Sequence, residues 1–339
     1  MRDRRIDSMR SFCNVLVLIT HSYPFMYCVG HDVEFWICTF FCRHLSIILL
    51  PTLFFLSGYC VFLSETGRFN IKGRFKRLVA PYFLWNSLFL LIYLMLGMFS
   101  SKVNHNLIEL NCNSFNGCLQ RLFSINDSCV DGPMWYVRCV FVLYLLQPIL
   151  KVLYKKITFR WLAIICVLAT LMSESWCSRY YPMYGIASFV LGGYLAYHKI
   201  DMFGAFRDKR YLLWPIAIIG LFGGFLFNVF NDTFSEPSGI CKLMMLPLFY
   251  LLYDRISFIM KSSFFNNYFM PASFTIYAVH IFFTSIFMHI LGSFIPKIVG
   301  GMFIISIFTI IFSLISSIIL WRVANAIFPK VFRIFDGRW

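Results

Sequence analysis

Two ionisable residues on one apolar stretch set the chemistry this chain can do. The segment Arg10-Ser11-Phe12-Cys13-Asn14-Val15-Leu16-Val17-Leu18-Ile19-Thr20-His21 reads as a helix. Eleven steps of about 100° come to about 1100°, so Arg10 and His21 share a face, about 16 Å apart along the axis. Asp7 and Asn14 extend the same stripe by a turn on either side. If Arg10 marks the cytoplasmic edge of a membrane about 30 Å thick, His21 lies near its midplane. An imidazole there can take a proton from a hydroxyl that is becoming a nucleophile. The competing reading is a core histidine hydrogen-bonded between helices. The membrane setting favours function, because ionisable groups at that depth are costly.

Four further groups could serve the same chemistry. Phe54-Phe55-Leu56-Ser57-Gly58-Tyr59 offers close helix packing or, alternatively, a gap lined by Ser57 that admits a substrate chain. Lys72-Gly73-Arg74-Phe75-Lys76-Arg77 places Arg74 and Arg77 at i, i+3, where paired guanidiniums suit a phosphorylated ligand or anionic lipid headgroups. Gly132-Pro133-Met134-Trp135-Tyr136-Val137-Arg138 puts Trp135 and Tyr136 at an interface, as a membrane belt or as a platform for a sugar ring. Arg138 wants a partner, for which Glu174 is the candidate. In Ser273-Phe274-Thr275-Ile276-Tyr277-Ala278-Val279-His280, Tyr277 and His280 are i, i+3 and can face the cavity of His21. His31, His44, His105, His198 and His289 have no comparable context and receive no role.

The elements that must position these residues follow from composition. The 339 residues are 60% hydrophobic and only 13% charged, with 41 Phe. Repeated apolar runs of membrane-spanning length indicate an all-α polytopic membrane protein, and their continuity argues against a β-barrel. Ten spans are predicted, near 11–28, 44–64, 80–99, 134–153, 160–177, 181–198, 211–230, 239–254, 273–293 and 300–322. Most of the 30 Lys and Arg residues then fall on one side, which places both termini in the cytoplasm and accounts for the net charge of +15 without nucleic acid. The first apolar stretch lacks a small-residue cleavage site and reads as a retained span. Residues 1–339 read as one membrane domain, without repeats. Most of the 12 cysteines lie in apolar runs; a pair among Cys112, Cys118 and Cys129 could be bridged in an oxidising compartment. No metal-ligand spacing is present.

Together these residues resemble the membrane-bound acyltransferase-3 family, whose Arg-x10-His signature matches Arg10 to His21, preceded by Ile6-Asp7-Ser8-Met9. The Phe-Phe-Leu-Ser-Gly-Tyr segment, Arg74-x-x-Arg77 ahead of Pro81, Trp135-Tyr136, and the Ser273 to His280 run also match. KRLVAPYFLWN and PMWYVRCVFVLY resemble the glycan O-acetylase branch most. The resemblance implies acetyl-CoA or another acyl-CoA as cytoplasmic donor and a glycan hydroxyl as acceptor. It also implies an essential His21, either general base or transient acyl carrier, with Arg10 in support. On this reading Arg74 and Arg77 hold the CoA phosphates, and Ser57, Trp135, Tyr136, Tyr277 and His280 line the substrate path. A transporter or flippase of lipid-linked glycans is the rival; it predicts repeats and helices broken at matching positions, which are not found. A receptor or scaffold leaves the midplane histidine unexplained.

Overall fold

The computed structural model describes residues 4–24, 33–63, 69–98, 114–123, 129–173, 182–231, 236–295 and 300–337. Among them all regular structure is helical. We number the helices α1 (Arg4–His21), α2 (Val33–Phe62), α3 (Ile71–Gly97), α4 (Phe115–Phe123), α5 (Trp135–Leu145), α6 (Gln147–Lys156) and α7 (Phe159–Ser173). There follow α8 (Met183–Tyr197), α9 (Met202–Asp208), α10 (Arg210–Phe230), α11 (Gly239–Lys261), α12 (Phe265–Phe294), α13 (Gly301–Ile327) and α14 (Pro329–Phe335). Described helix falls within each of the ten predicted spans, although residues 25–28 and 174–177 lie outside the described residues. Five (α2, α3, α10, α12 and α13) are long and apolar enough to cross a membrane, or up to seven if each of two bent pairs is one span. The protein is therefore a polytopic, helical membrane protein.

The second span differs from its expected start at residue 44. Helix begins at Val33 and runs on past Arg43 and His44, because a π-turn over Phe40–Leu45 absorbs them. Charge did not mark the edge of this span, since partners elsewhere in the fold satisfy it.

Chain contacts divide the molecule into two compact units: residues 1–69 with 146–321, and residues 70–145 with 322–339. In the first, the core is the crossing of α2 on α8. Phe54, Phe55 and Phe189 are wholly buried there. A Cβ on Gly58 would overlap the Phe189 carbonyl, and one on Gly192 the Phe55 carbonyl. Reciprocal glycines thus let the two backbones touch, the packing that small residues provide between membrane helices. At the other side, Leu18 of α1 packs with Ala272 and Ile276 of α12. Glu34 of α2 caps α13: its two oxygens accept from Gly300 N at 2.7 Å and Phe303 N at 3.0 Å, where a carboxylate suits the positive end of the helix dipole.

The second unit is built on α3. Trp85 donates through Nε1 to the Phe335 carbonyl at 3.1 Å, docking α14. Gly337, at φ +66°, lies against the Arg77 carbonyl where a Cβ would not fit. Asn86 is wholly buried and accepts from Asp131 N at 2.9 Å. The Asp131 side chain is buried and its Oδ2 has no hydrogen-bond partner among the described residues. Cys118 and Cys129 are free thiols, so they are not bridged to each other; Cys112 lies outside the described residues.

Two predictions follow from this packing. Gly58→Ala or Gly192→Ala forces backbone against backbone, and each should cost about 1–3 kcal/mol or more, read as a lowered midpoint in thermal unfolding of the detergent-solubilised protein. Burial pushes the Asp131 carboxyl well above its ordinary value of 3.8, so the folded chain binds its proton more tightly than the unfolded chain. Wild type should then lose stability relative to Asp131→Asn as pH rises from 3.8 towards the folded value. Parallel pH profiles of the two midpoints would refute this.

Candidate active site

Helix α1 lies between α2 and α12, and its polar stripe faces both. Arg10 donates through Nη2 to Ser57 Oγ of α2 at 3.3 Å. One turn on, Asn14 donates to the Ser273 carbonyl and hydroxyl of α12 at 2.8 and 2.6 Å. Two turns further, the ring of His21 meets that of His280 with centroids 5.0 Å apart and planes tilted by 50°. The polar residues spaced along α1 thus find polar partners on two other helices. Asp7 contributes its carbonyl to the Ser11 hydroxyl at 3.0 Å. Tyr277 is buried, its ring 6.0 Å from that of His280.

Ser57 and Gly58 divide the work of their motif. Ser57 turns to Arg10, while Gly58 seats α8. The packing reading holds for Gly58, and the polar liner is an arginine partner.

His21 ends α1 and is exposed, and it makes no hydrogen bond among the described residues. His280 is wholly buried; its Nδ1 lies 2.6 Å from the Tyr277 carbonyl, which only accepts, so Nδ1 carries the proton. That leaves Nε2 as a bare lone pair, with no hydrogen-bond partner among the described residues.

Sequence reasoning missed a charged cluster on the same side. Glu236, just ahead of α11, accepts from Lys242 Nζ through Oε2 at 2.7 Å and pairs with Arg43 Nη1 through Oε1 at 3.6 Å. The Lys242 ammonium lies 5.0 Å over the Tyr184 ring, a cation–π contact. Among the described residues, the fields of Arg43 and Glu236 reach His21. His44 accepts through Nε2 from Asn228 Nδ2 at 3.3 Å. The available signal was the Arg43-His44 pair inside an apolar run. A charge there needs partners, although the sequence does not say which.

The remaining expected residues lie in the second unit. The Arg74 guanidinium sits 5.1 Å over the Tyr144 ring, half-buried, while Arg77 is exposed. The expected pairing of their side chains on one α-helical face is altered, because a π-turn over Phe75–Val79 follows Arg74. Its i→i+5 bonds wind less per residue, so i, i+3 side chains diverge. Trp135 and Tyr136 meet edge to face, with centroids 6.4 Å apart. Glu174, the partner expected for Arg138, lies outside the described residues.

A family model described as an acyltransferase domain matches residues 3–322, and the chain belongs to this acyltransferase-3 family. It is a membrane acyltransferase, and the transporter reading gains no support. No curated protein and no solved structure matches the chain.

The cluster has a pH signature. Burial alone would raise the Glu236 carboxyl, but Lys242, with Arg43 and His21 adding to it, outweighs burial and holds it below its ordinary value of 4.5. Its contribution to stability is therefore full above pH 4.5 and is lost as pH falls through the lower folded value. The side chain is 44% exposed, which keeps the effect small. Below pH 4.5 the unfolding midpoint of wild type should fall more steeply than that of Glu236→Gln.

Proposed function

We propose that this acyltransferase moves an acetyl group from cytoplasmic acetyl-CoA to a hydroxyl of a cell-surface or exported glycan, in the inner membrane of a bacterium. The observation that carries the reading is the His21–His280 ring pair at the end of the helix that Arg10 anchors to Ser57. Ten spans with both termini cytoplasmic would put Arg10 at the donor's side and leave His21 within reach of an acceptor from the other side. The runs KRLVAPYFLWN and PMWYVRCVFVLY, which resemble the glycan O-acetylase branch of the family, support this choice of donor and acceptor.

The chemistry is an acyl exchange. His21 takes the hydroxyl proton as the acceptor oxygen attacks the thioester carbonyl. The tetrahedral adduct collapses with loss of the C–S bond, and the CoA thiolate leaves with the proton from His21. In the covalent variant His21 itself receives the acetyl group and passes it on. His280, whose ring meets that of His21, packs beside it in either route. Arg74 and Arg77 bind phosphates of CoA, whose negative charge suits guanidinium donors. Trp135 and Tyr136 give the sugar a stacking surface, Tyr277 lines its path, and Asp7 and Asn14 support α1.

At matched membrane levels, His21→Ala should reduce transfer from labelled acetyl-CoA to glycan by about 10²-fold or more. Saturable acetyl-CoA binding should survive that change and be lost in Arg74→Ala/Arg77→Ala. Mass spectrometry of surface glycans with and without the protein should show the loss of one acetyl increment. Wild-type transfer by His21→Ala would overturn the mechanism.

A further inference from the structure

The second span has Glu34 in its first turn and carries Arg43 and His44 well inside a helix apolar enough to cross a membrane. Both sit on the π-turn Phe40–Leu45. Such turns are rare and occur frequently at functional sites, and a charge at membrane depth is costly enough to need a reason.

This turn is fastened to the end of α1 on both sides of His21. Thr20 donates through Oγ1 to Ser46 Oγ at 2.7 Å, just after the turn. Ser46 in turn donates to the Cys42 carbonyl at 2.6 Å. Tyr23 Oη and Thr39 Oγ1 are 2.8 Å apart just before it. From the opposite side α10 holds the turn, through Asn228 on His44 and through Phe225, whose ring centroid is 5.3 Å from that of His44. The backbone that carries Arg43 is thus tied to the residues flanking His21 and cannot drift from it. Glu236 then holds the guanidinium, and buried Lys242 holds Glu236.

We propose that Arg43 is a catalytic residue: its guanidinium binds the oxyanion that forms on the thioester carbonyl, with Glu236 and Lys242 as positioning residues. This rests on acyl transfer at His21. As the acceptor oxygen bonds to the carbonyl carbon, the carbonyl electron pair moves to oxygen, and an N–H donor fixed in advance lowers the energy of that charge. When the C–S bond breaks the carbonyl re-forms and Arg43 releases it, so no proton or electron stays on the arginine. The same donor serves the covalent route, whose two adducts carry the charge on the same oxygen. Glu236 also offsets the repulsion between Arg43 and an imidazolium at His21.

The test uses full-length protein in native membrane vesicles that carry their own glycan, with labelled acetyl-CoA and rates normalised to folded protein. Arg43→Gln should lower kcat by about 10²- to 10³-fold, the range for an oxyanion donor, with KM for acetyl-CoA changed by less than about twofold. Arg43→Lys keeps the charge without the planar fork and should fall between. Glu236→Gln should lower kcat with KM unchanged, and Glu236→Asp should restore part of it. If Arg43→Gln does not accumulate, the Glu236 pair decides alone. An unchanged kcat, or a raised KM at unchanged kcat, overturns the proposal. His21→Ala in the same vesicles separates the two readings. If it is inactive while Arg43→Gln is active, only the role of Arg43 falls. If it transfers at wild-type rate, acyl transfer at His21 falls as well.

Discussion

The structure depends on satisfying the polar edge of α1 inside an apolar bundle. An unpaired buried polar group costs about 1–3 kcal/mol, and a charged one more. Arg10, Asn14 and Thr20 each find a serine partner, at Ser57 and Ser46 of α2 and Ser273 of α12. Those three bonds fix the rotation and the height of α1 together. His21 has no such bond, which leaves its ring nitrogens for chemistry while its backbone is held.

That edge was legible in the sequence because it obeys helical periodicity. Arg10 and His21 share a face by counting, and Asn14 follows from the same count. Ser57 and His280 were found as members of motifs, and the fold brings both to α1. Arg43 and Lys242 were not legible. Their meaning lies in Glu236, almost two hundred residues from Arg43 in sequence, and no local pattern reports a contact of that range. The π-turn hid them further. With α-helical winding assumed, Arg43 and His44 look like the edge of a membrane span. The same assumption underlies the face expected for Arg74 and Arg77, where a π-turn over Phe75–Val79 follows Arg74.

The Phe-Phe-Leu-Ser-Gly-Tyr motif illustrates why adjacent residues need separate explanations. Successive side chains on a helix diverge by about 100°. Ser57 therefore addresses α1, and Gly58 addresses α8. The glycine has no contact with the polar stripe, yet it sets how deeply α2 is seated and hence where the serine hydroxyl lies. A motif of this kind joins a packing requirement to a polar one on neighbouring faces, so reading it as either alone loses half of its content.

The charged cluster follows the same economy. Three ionised groups near an apolar bundle would be unfavourable one by one. Glu236 lowers that cost by serving both cations at once, one on each carboxylate oxygen. Stability alone gives no reason to assemble such a set, since apolar side chains of similar volume would fill the space at no loss. A role in stabilising charge that develops beside His21 does give one. The groups that hold a transient oxyanion must be charged or strongly polar before it forms, and their cost is met by the rest of the fold. Here it is met by a carboxylate ahead of α11, a tyrosine face under Lys242, and two hydrogen bonds that tie the π-turn to α1.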